Sequence, residues 1–187
     1  NFADLVKHAC LTVMLEHLTG GDAPLTVIDT HAGAGAYDLG GEMALKSGEA
    51  AIARLLADES APEAYDMLMA AVVRANPQGG VRIYPGSPAL TCAGLREGDR
   101  LIACELRPDD HAALAELLQP LAPQARALRE DGFEVAASQT PTQGAVLLLI
   151  DPPFERPDDY PRVAQACTAV LRRNPKAVIA IWTPLKD

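Results

Sequence analysis

Val146-Leu147-Leu148-Leu149-Ile150 runs directly into Asp151-Pro152-Pro153-Phe154. Five apolar residues without a polar interruption read as a short, fully buried strand. In an open α/β sheet, ligands bind just beyond the carboxyl ends of the strands. The tetrapeptide therefore sets an acid, two rigid prolines and an aromatic, expected to be exposed, where chemistry is usually done. Asp-Pro-Pro is also a good turn sequence after any strand, so its weight depends on what lies upstream.

Upstream, Leu25-Thr26-Val27-Ile28-Asp29 reads as a second short strand, followed by Thr30-His31-Ala32-Gly33-Ala34-Gly35-Ala36. A strand opening into a glycine-rich turn is the entry to a nucleotide-type pocket. Only G-x-G is present, without the third glycine of a dinucleotide fingerprint, which argues against a dehydrogenase. Residues 100–105 form a third strand pattern ending in Glu105. An acid at that place commonly binds ribose hydroxyls, although solvated strand ends are common too. Asp131-Gly132-Phe133 follows a strand pattern at 125–129 and reads equally as a contact to a cofactor's adenine or as a plain turn. Three acids at strand ends suit a nucleoside bearing a sulfonium better than one bearing phosphates, which carboxylates repel.

The tetrapeptide resembles the Asp/Asn-Pro-Pro-aromatic pattern of methyltransferases that act on amino groups of planar heterocycles, and its residues fit that chemistry. The exocyclic amine of adenine is a poor nucleophile because its lone pair is delocalised into the ring. Asp151 can accept one N–H bond and the carbonyl of Pro152 the other, while proline offers no competing N–H and holds φ fixed. Phe154 would stack on a base taken out of its helix. Catalysis would then be mainly orientation and in-line approach.

These segments together resemble the bacterial 23S ribosomal RNA adenine N6-methyltransferase family, the RlmJ-type enzymes, also described as proteins of external-DNA utilisation. The matching stretches are Ala3-Asp4-Leu5-Val6-Lys7-His8, Asp29-Thr30-His31-Ala32-Gly33-Ala34-Gly35, Tyr84-Pro85-Gly86-Ser87-Pro88, Glu105-Leu106-Arg107-Pro108, Asp131-Gly132-Phe133 and Asp151-Pro152-Pro153-Phe154. The resemblance implies S-adenosyl-L-methionine as donor, with His8, His31, Gly33, Gly35, Ser87, Glu105, Asp131 and Gly132 around it, and Asp151, Pro152 and Phe154 as the catalytic group. It implies ribosomal RNA as partner and the cytoplasm as location. Ser87-Pro88 also reads independently as an N-cap followed by proline at the first helical position. His8, in a helical pattern over 2–18, reads by itself as a polar-face histidine. No metal site is expected. Family members more often carry tyrosine where Phe154 stands. They also have residues before the position of Asn1, and methyltransferases of this architecture have two further strands beyond the last one here, so a fragment or a further tail is expected.

Composition bounds the rest. The 187 residues, 49% hydrophobic, suffice for one domain with a proper core. Cys10, Cys92, Cys104 and Cys167 form no C-x-x-C pair and read mainly as small buried hydrophobes. No membrane-length apolar run is visible; a monomer is expected. A net charge of −9 argues against a polyanion partner, unless Lys7, Lys46, Arg82, Arg96, Arg107 and Arg156 line one face and the acids of 58–66 with Asp158-Asp159 the other.

The alternation of helix and strand predicts an α/β, Rossmann-like S-adenosylmethionine-dependent methyltransferase fold: a mostly parallel sheet with helices on both faces. Residues 1–41 and 85–187 would form it, with 42–84 a small helical insertion beside the glycine loop. Two helical patterns fall in that insertion. The second starts at the capping box Ser60-Ala61-Pro62-Glu63 and turns Tyr65, Leu68, Met69 and Val72 inward. The first helix should bury Val6, Ala9, Val13 and Met14. A helix capped at Asp158-Asp159 should bury Tyr160, Val163, Cys167, Val170 and Leu171, and 177–182 should be another buried strand. Methylation of DNA adenine, or non-catalytic nucleic-acid binding, are the alternatives.

Overall fold

The computed structural model describes residues 2–40, 52, 58 and 63–183. Its centre is a five-stranded, all-parallel sheet of β1 (Leu25–Asp29), β4 (Arg100–Cys104), β5 (Ala125–Leu128), β6 (Ala145–Ile150) and β7 (Val178–Ile181), in the order β5-β4-β1-β6-β7. A two-stranded antiparallel ribbon joins β2 (Ala36–Asp38) to β3 (Ile83–Pro85). Counting only the strands of the main sheet, the order is 3-2-1-4-5, Rossmann-like, and it reverses between β1 and β6. A crevice outside the carboxyl ends at such a reversal is where open α/β sheets bind ligands.

Helices cover both faces. The larger core lies under α1 (Phe2–Thr19), α2 (Asp66–Ala75), α3 (Ser87–Gly94) and α4 (Pro108–Leu118). The smaller lies under α5 (Gly132–Gln139) and α6 (Asp159–Arg173). β6 serves both: Leu147 and Leu149 enter the larger core, Leu148 and Ile150 the smaller. That is why its sequence is continuously apolar. Each fully buried side chain of this size contributes roughly 1.5–3 kcal/mol.

Several expectations change at the edges. The buried stripe of α1 is Leu5, His8, Ala9, Leu11, Thr12 and Leu15, while Val13 is exposed and Val6 and Met14 only half-buried. On α6, Val163, Ala166 and Val170 face inward, whereas Tyr160 and Leu171 are exposed and Cys167 half-buried. β7 is not a buried strand: it is an edge of the described sheet, with Val178 and Ile181 exposed. Of the cysteines only Cys104 is buried, and Cys10 is exposed. α2 begins at Asp66 after a 3-10 turn at Glu63–Tyr65, not at the proposed capping box, whose Ser60-Ala61-Pro62 lies outside the described residues. Leu68, Met69 and Val72 are buried as expected, in the same core as α1. The first helical pattern of 42–84 (apart from Ile52), Lys46, and Glu59 of the acidic run at 58–66 also lie outside them.

The β2–β3 ribbon had no sequence signal, since each strand is three residues long and the partners are far apart. Asn76 pins it: its side chain donates to the carbonyls of Val72 and Ile83 and accepts from the Ile83 N–H at 2.8 Å. Of the basic residues expected to share a face, Arg96 lies at the opposite end of the sheet. Its guanidinium binds Asp99 and the carbonyls of Thr19, Gly21 and Ala23. Lys7, Arg82, Arg107 and Arg156 each pair with acids. No described helix is long and apolar enough to cross a membrane.

Candidate active site

The loop after β1 is stitched to its neighbours before it reaches the glycines. The Thr30 N–H and hydroxyl both donate to the Leu149 carbonyl, at 3.0 and 2.9 Å, and the Ala32 N–H donates to the Cys104 carbonyl at 2.9 Å. Gly33 then takes φ 59°, a left-handed conformation that favours glycine, and a Cβ there would lie 2.4 Å from the Tyr37 hydroxyl. Its N–H donates to Glu105 Oε2 at 3.0 Å. Gly35 offers its carbonyl to the Gly86 N–H at 2.9 Å, which locks the loop to the start of α3.

Glu105 stands just past β4. Besides Gly33, it accepts the Arg107 N–H on Oε1 at 2.7 Å. Two bonds leave about half of a carboxylate's lone-pair sites open. Asp131 caps α5, accepting the Phe133 N–H at 3.0 Å, and pairs with Arg162 at 2.5 Å. Burial alone would raise its pKa, but Arg162 and the backbone donors outweigh it and hold the carboxyl below its usual value. Gly132 has a packing role: a Cβ there would sit 2.1 Å from the Thr30 carbonyl oxygen, so only glycine lets α5 approach the loop. Glu105, Asp131 and Gly132 line one small cavity with His31. The His31 ring, edge-on to Phe133 at 5.0 Å, donates at Nδ1 to the oxygen of the Thr30 hydroxyl, whose own proton goes to Leu149; burial lowers its pKa.

His31 also lines a larger cavity of about 390 Å³ with Ser87, Tyr37, His8 and Asp151. Ser87 is not the cap of α3. Gly86 occupies that position with extended backbone, and the Ser87 hydroxyl turns to donate to Asp29 Oδ2 at 2.6 Å. Asp29 is 2% exposed and also accepts the His31 N–H at 3.3 Å. Burial pushes its carboxyl up to about 6 against those two donors. His8 faces inward, not outward, because its position falls on the core side of α1. Its Nδ1 meets the Tyr84 hydroxyl at 2.6 Å, and burial, with Lys7 nearby, lowers its pKa to about 3, so the ring is neutral at pH 7.

Asp151 follows β6 at the sheet's reversal, half-exposed. Lys7 Nζ, from α1, holds its Oδ2 at 2.5 Å and reaches Asp4 at 3.1 Å. Burial would lower Lys7, but the bond to Asp151 and the acids' charge outweigh it and keep the ammonium protonated. Pro152 is buried behind it. Phe154 departs from expectation: it is 7% exposed, and its left-handed backbone (φ 52°) turns the ring into the smaller core, 4.6 Å from the Tyr160 ring. It has no face open for a base.

The family whose model is described as "Ribosomal RNA large subunit methyltransferase D, RlmJ" matches residues 22–187. The chain belongs to this family. It is 36% identical to ribosomal RNA large subunit methyltransferase J of Escherichia coli K12, over 99% of this chain and 67% of that protein. Its identity to the Haemophilus influenzae protein of the same name is 33%, over the same shares of each chain. A crystal structure of a Legionella pneumophila protein superposes with a TM-score of 0.88 at 29% identity, covering 99% of this chain and 69% of that one.

The structure thus brings His31, Gly33, Glu105, Asp131 and Gly132 together on the β4 side of the reversal, and His8, Ser87 and Asp151 on the α1 side. Sequence reasoning left Asp29 and Lys7 out of the site. Asp29 carried the same signal as Glu105, an acid ending a buried strand. The pairing of Lys7 with Asp151 carried none, because the two are 144 residues apart.

Proposed function

We propose that this protein transfers a methyl group from S-adenosyl-L-methionine to the exocyclic N6 amine of an adenine in 23S ribosomal RNA. One observation carries the reading: Asp151 stands at the reversal with Oδ2 held by Lys7 and, among the described residues, no donor on Oδ1. An acceptor held in place but half free is what an amine needs for orientation.

The residues fit the cofactor. The cavities on either side of His31 are rich in acceptors, and the nearby Lys7 ammonium is already engaged by two carboxylates. Such a set suits hydroxyls and a sulfonium and disfavours phosphate. The cofactor, once bound, supplies an electrophilic methyl group. Glu105 would accept the ribose hydroxyls with its remaining lone pairs. Asp131, already capping α5, would keep α5 and Phe133 beside the adenine. Gly33 and Gly35 let backbone approach the methionine portion, near Ser87, His31 and the neutral His8. Asp151 and the Pro152 carbonyl aim the lone pair of the amine at the methyl group. Asp151 need not be a strong base, since the nitrogen becomes positively charged on methylation and its proton then leaves readily. The same reading assigns 42–84 to an insertion beside the glycine loop, and the protein to the cytoplasm as a monomer.

The test is calorimetric titration of the full-length protein with S-adenosylmethionine and S-adenosylhomocysteine, followed by methylation assays on 23S ribosomal RNA and on duplex DNA. The expected result is binding that Glu105→Ala weakens, and methyl transfer to RNA. Absence of binding to both ligands overturns the reading; transfer to DNA alone replaces the substrate.

A further inference from the structure

A second cavity, of about 240 Å³, opens on the other side of Asp151, between α1 and the β6–β7 edge. It shares Lys7, His8, Ser87 and Asp151 with the 390 Å³ cavity, so the two meet at the acid. The larger falls within the roughly 300–1,000 Å³ of whole small-molecule sites; the smaller falls below it and suits a single ring system. Its far wall is different in kind. Trp182 lines it, together with Leu11 and Met14 of α1.

The place of Trp182 follows from the ladder. Leu149 pairs with Ala180 and Ile150 with Ile181, and the Trp182 N–H donates to the Ile150 carbonyl at 2.9 Å. The next pair is therefore Asp151 with Trp182. Alternation puts both on the face of Leu149 and Ala180, which is the α1 face. A carboxylate and an indole, side by side on adjacent strand ends, offer a planar amine-bearing heterocycle both an acceptor and a stacking surface. Phe154, the aromatic that sequence reasoning assigned to stacking, is packed into the opposite core.

We infer that Trp182 is the residue that stacks the target adenine, seating it in this cavity with its amine on Asp151. The inference rests on the methyltransferase reading and deepens it by naming the base subsite. Base–aromatic stacking is worth about 1–3 kcal/mol per base by alanine substitution, or roughly 5- to 140-fold. RNA affinity comes largely from phosphate contacts. The loss should therefore fall on kcat more than on KM for RNA.

Trp182 is the only tryptophan among the 187 residues, and the emission of the wild-type protein minus that of Trp182→Phe reports on the cavity. The experiment uses the full-length protein with 23S ribosomal RNA, and adenosine monophosphate as the fluorescence probe, in saturating S-adenosylhomocysteine. Expected are quenching of Trp182 emission by adenosine monophosphate, a fall in kcat of roughly 5- to 140-fold for Trp182→Ala with S-adenosylmethionine affinity unchanged, and substantial recovery in Trp182→Phe. Methylation by Trp182→Ala at the wild-type rate overturns the inference while leaving the parent reading intact. So does a phenylalanine variant as impaired as the alanine one. If wild-type protein leaves the RNA unmethylated, both readings fall. Should the alanine variant lose cofactor binding through misfolding, the emission difference between wild type and Trp182→Phe decides, and a difference that adenosine monophosphate leaves unchanged overturns the subsite.

Discussion

Asp29 and Asp151 end neighbouring parallel strands, on the two sides of the sheet's reversal, and their surroundings are opposite. Asp29 is closed in. Both of its oxygens are engaged, by the Ser87 hydroxyl and the His31 N–H, and burial raises its carboxyl to about 6. Asp151 is half-exposed, and its one strong partner is an ammonium that can share it. The comparison separates two uses of a strand-terminal acid. One holds a loop and a helix start together. The other presents an oxygen to whatever enters the cavities beside it.

Three substitutions test that division. Asp151→Ala should have the largest effect: a loss of about 10²-fold or more in methyl transfer, the order expected when a reacting group is no longer positioned, with S-adenosylmethionine affinity largely retained in calorimetry. Near wild-type turnover would move the presenting role elsewhere, Asp29 being the nearest candidate.

Asp29→Asn should act mainly on stability. A carboxyl whose folded pKa lies above its usual 3.8 binds more protons in the folded state between 3.8 and about 6. The contribution of Asp29 to wild-type stability therefore falls as pH rises through that window and is flat above it. The asparagine variant lacks this slope, so its stability relative to wild type should rise from pH 4 to pH 6, by something on the order of 2 kcal/mol. Urea unfolding across that range measures it. His8 works in the other direction. Its pKa is lowered from 6.5 to about 3, so stability is lost as pH falls between those values. The variant-minus-wild-type difference must therefore be read, not the wild-type curve alone. A difference that stays flat with pH would mean Asp29 is solvated in the folded protein.

The smallest effect belongs to Arg82→Ala. Arg82 and Asp38 join the β2–β3 ribbon at 2.9 Å, but their side chains are 74% and 49% exposed. Exposed pairs of this kind contribute little, so neither unfolding nor turnover should change measurably. A clear loss of activity would show that the ribbon, and not only the strand ends, shapes the site.

Local pattern was enough for the frame. β1, β4 and β6 were legible because strands buried on both faces must be continuously apolar, and the strand-end acids Asp29, Glu105 and Asp151 are adjacent in sequence to those runs. The glycine loop was legible because a left-handed φ, as at Gly33, favours glycine. What a single residue's backbone or a distant partner decides was not legible. Phe154 reads as an exposed aromatic until one left-handed φ turns it into the core. β7 reads as buried, whereas in the described sheet it is outermost and its Val178 and Ile181 are exposed.

By itself, then, the sequence determined the parallel α/β frame and where its chemistry-bearing acids stand, since both follow from hydrophobic period and from residues a few positions apart. The tertiary structure alone decided the pairing of Lys7 with Asp151, the enclosure of Asp29 by Ser87, and the placement of Trp182 rather than Phe154 beside the acid. Those contacts join elements whose spacing along the chain carries no information about their spacing in the sheet.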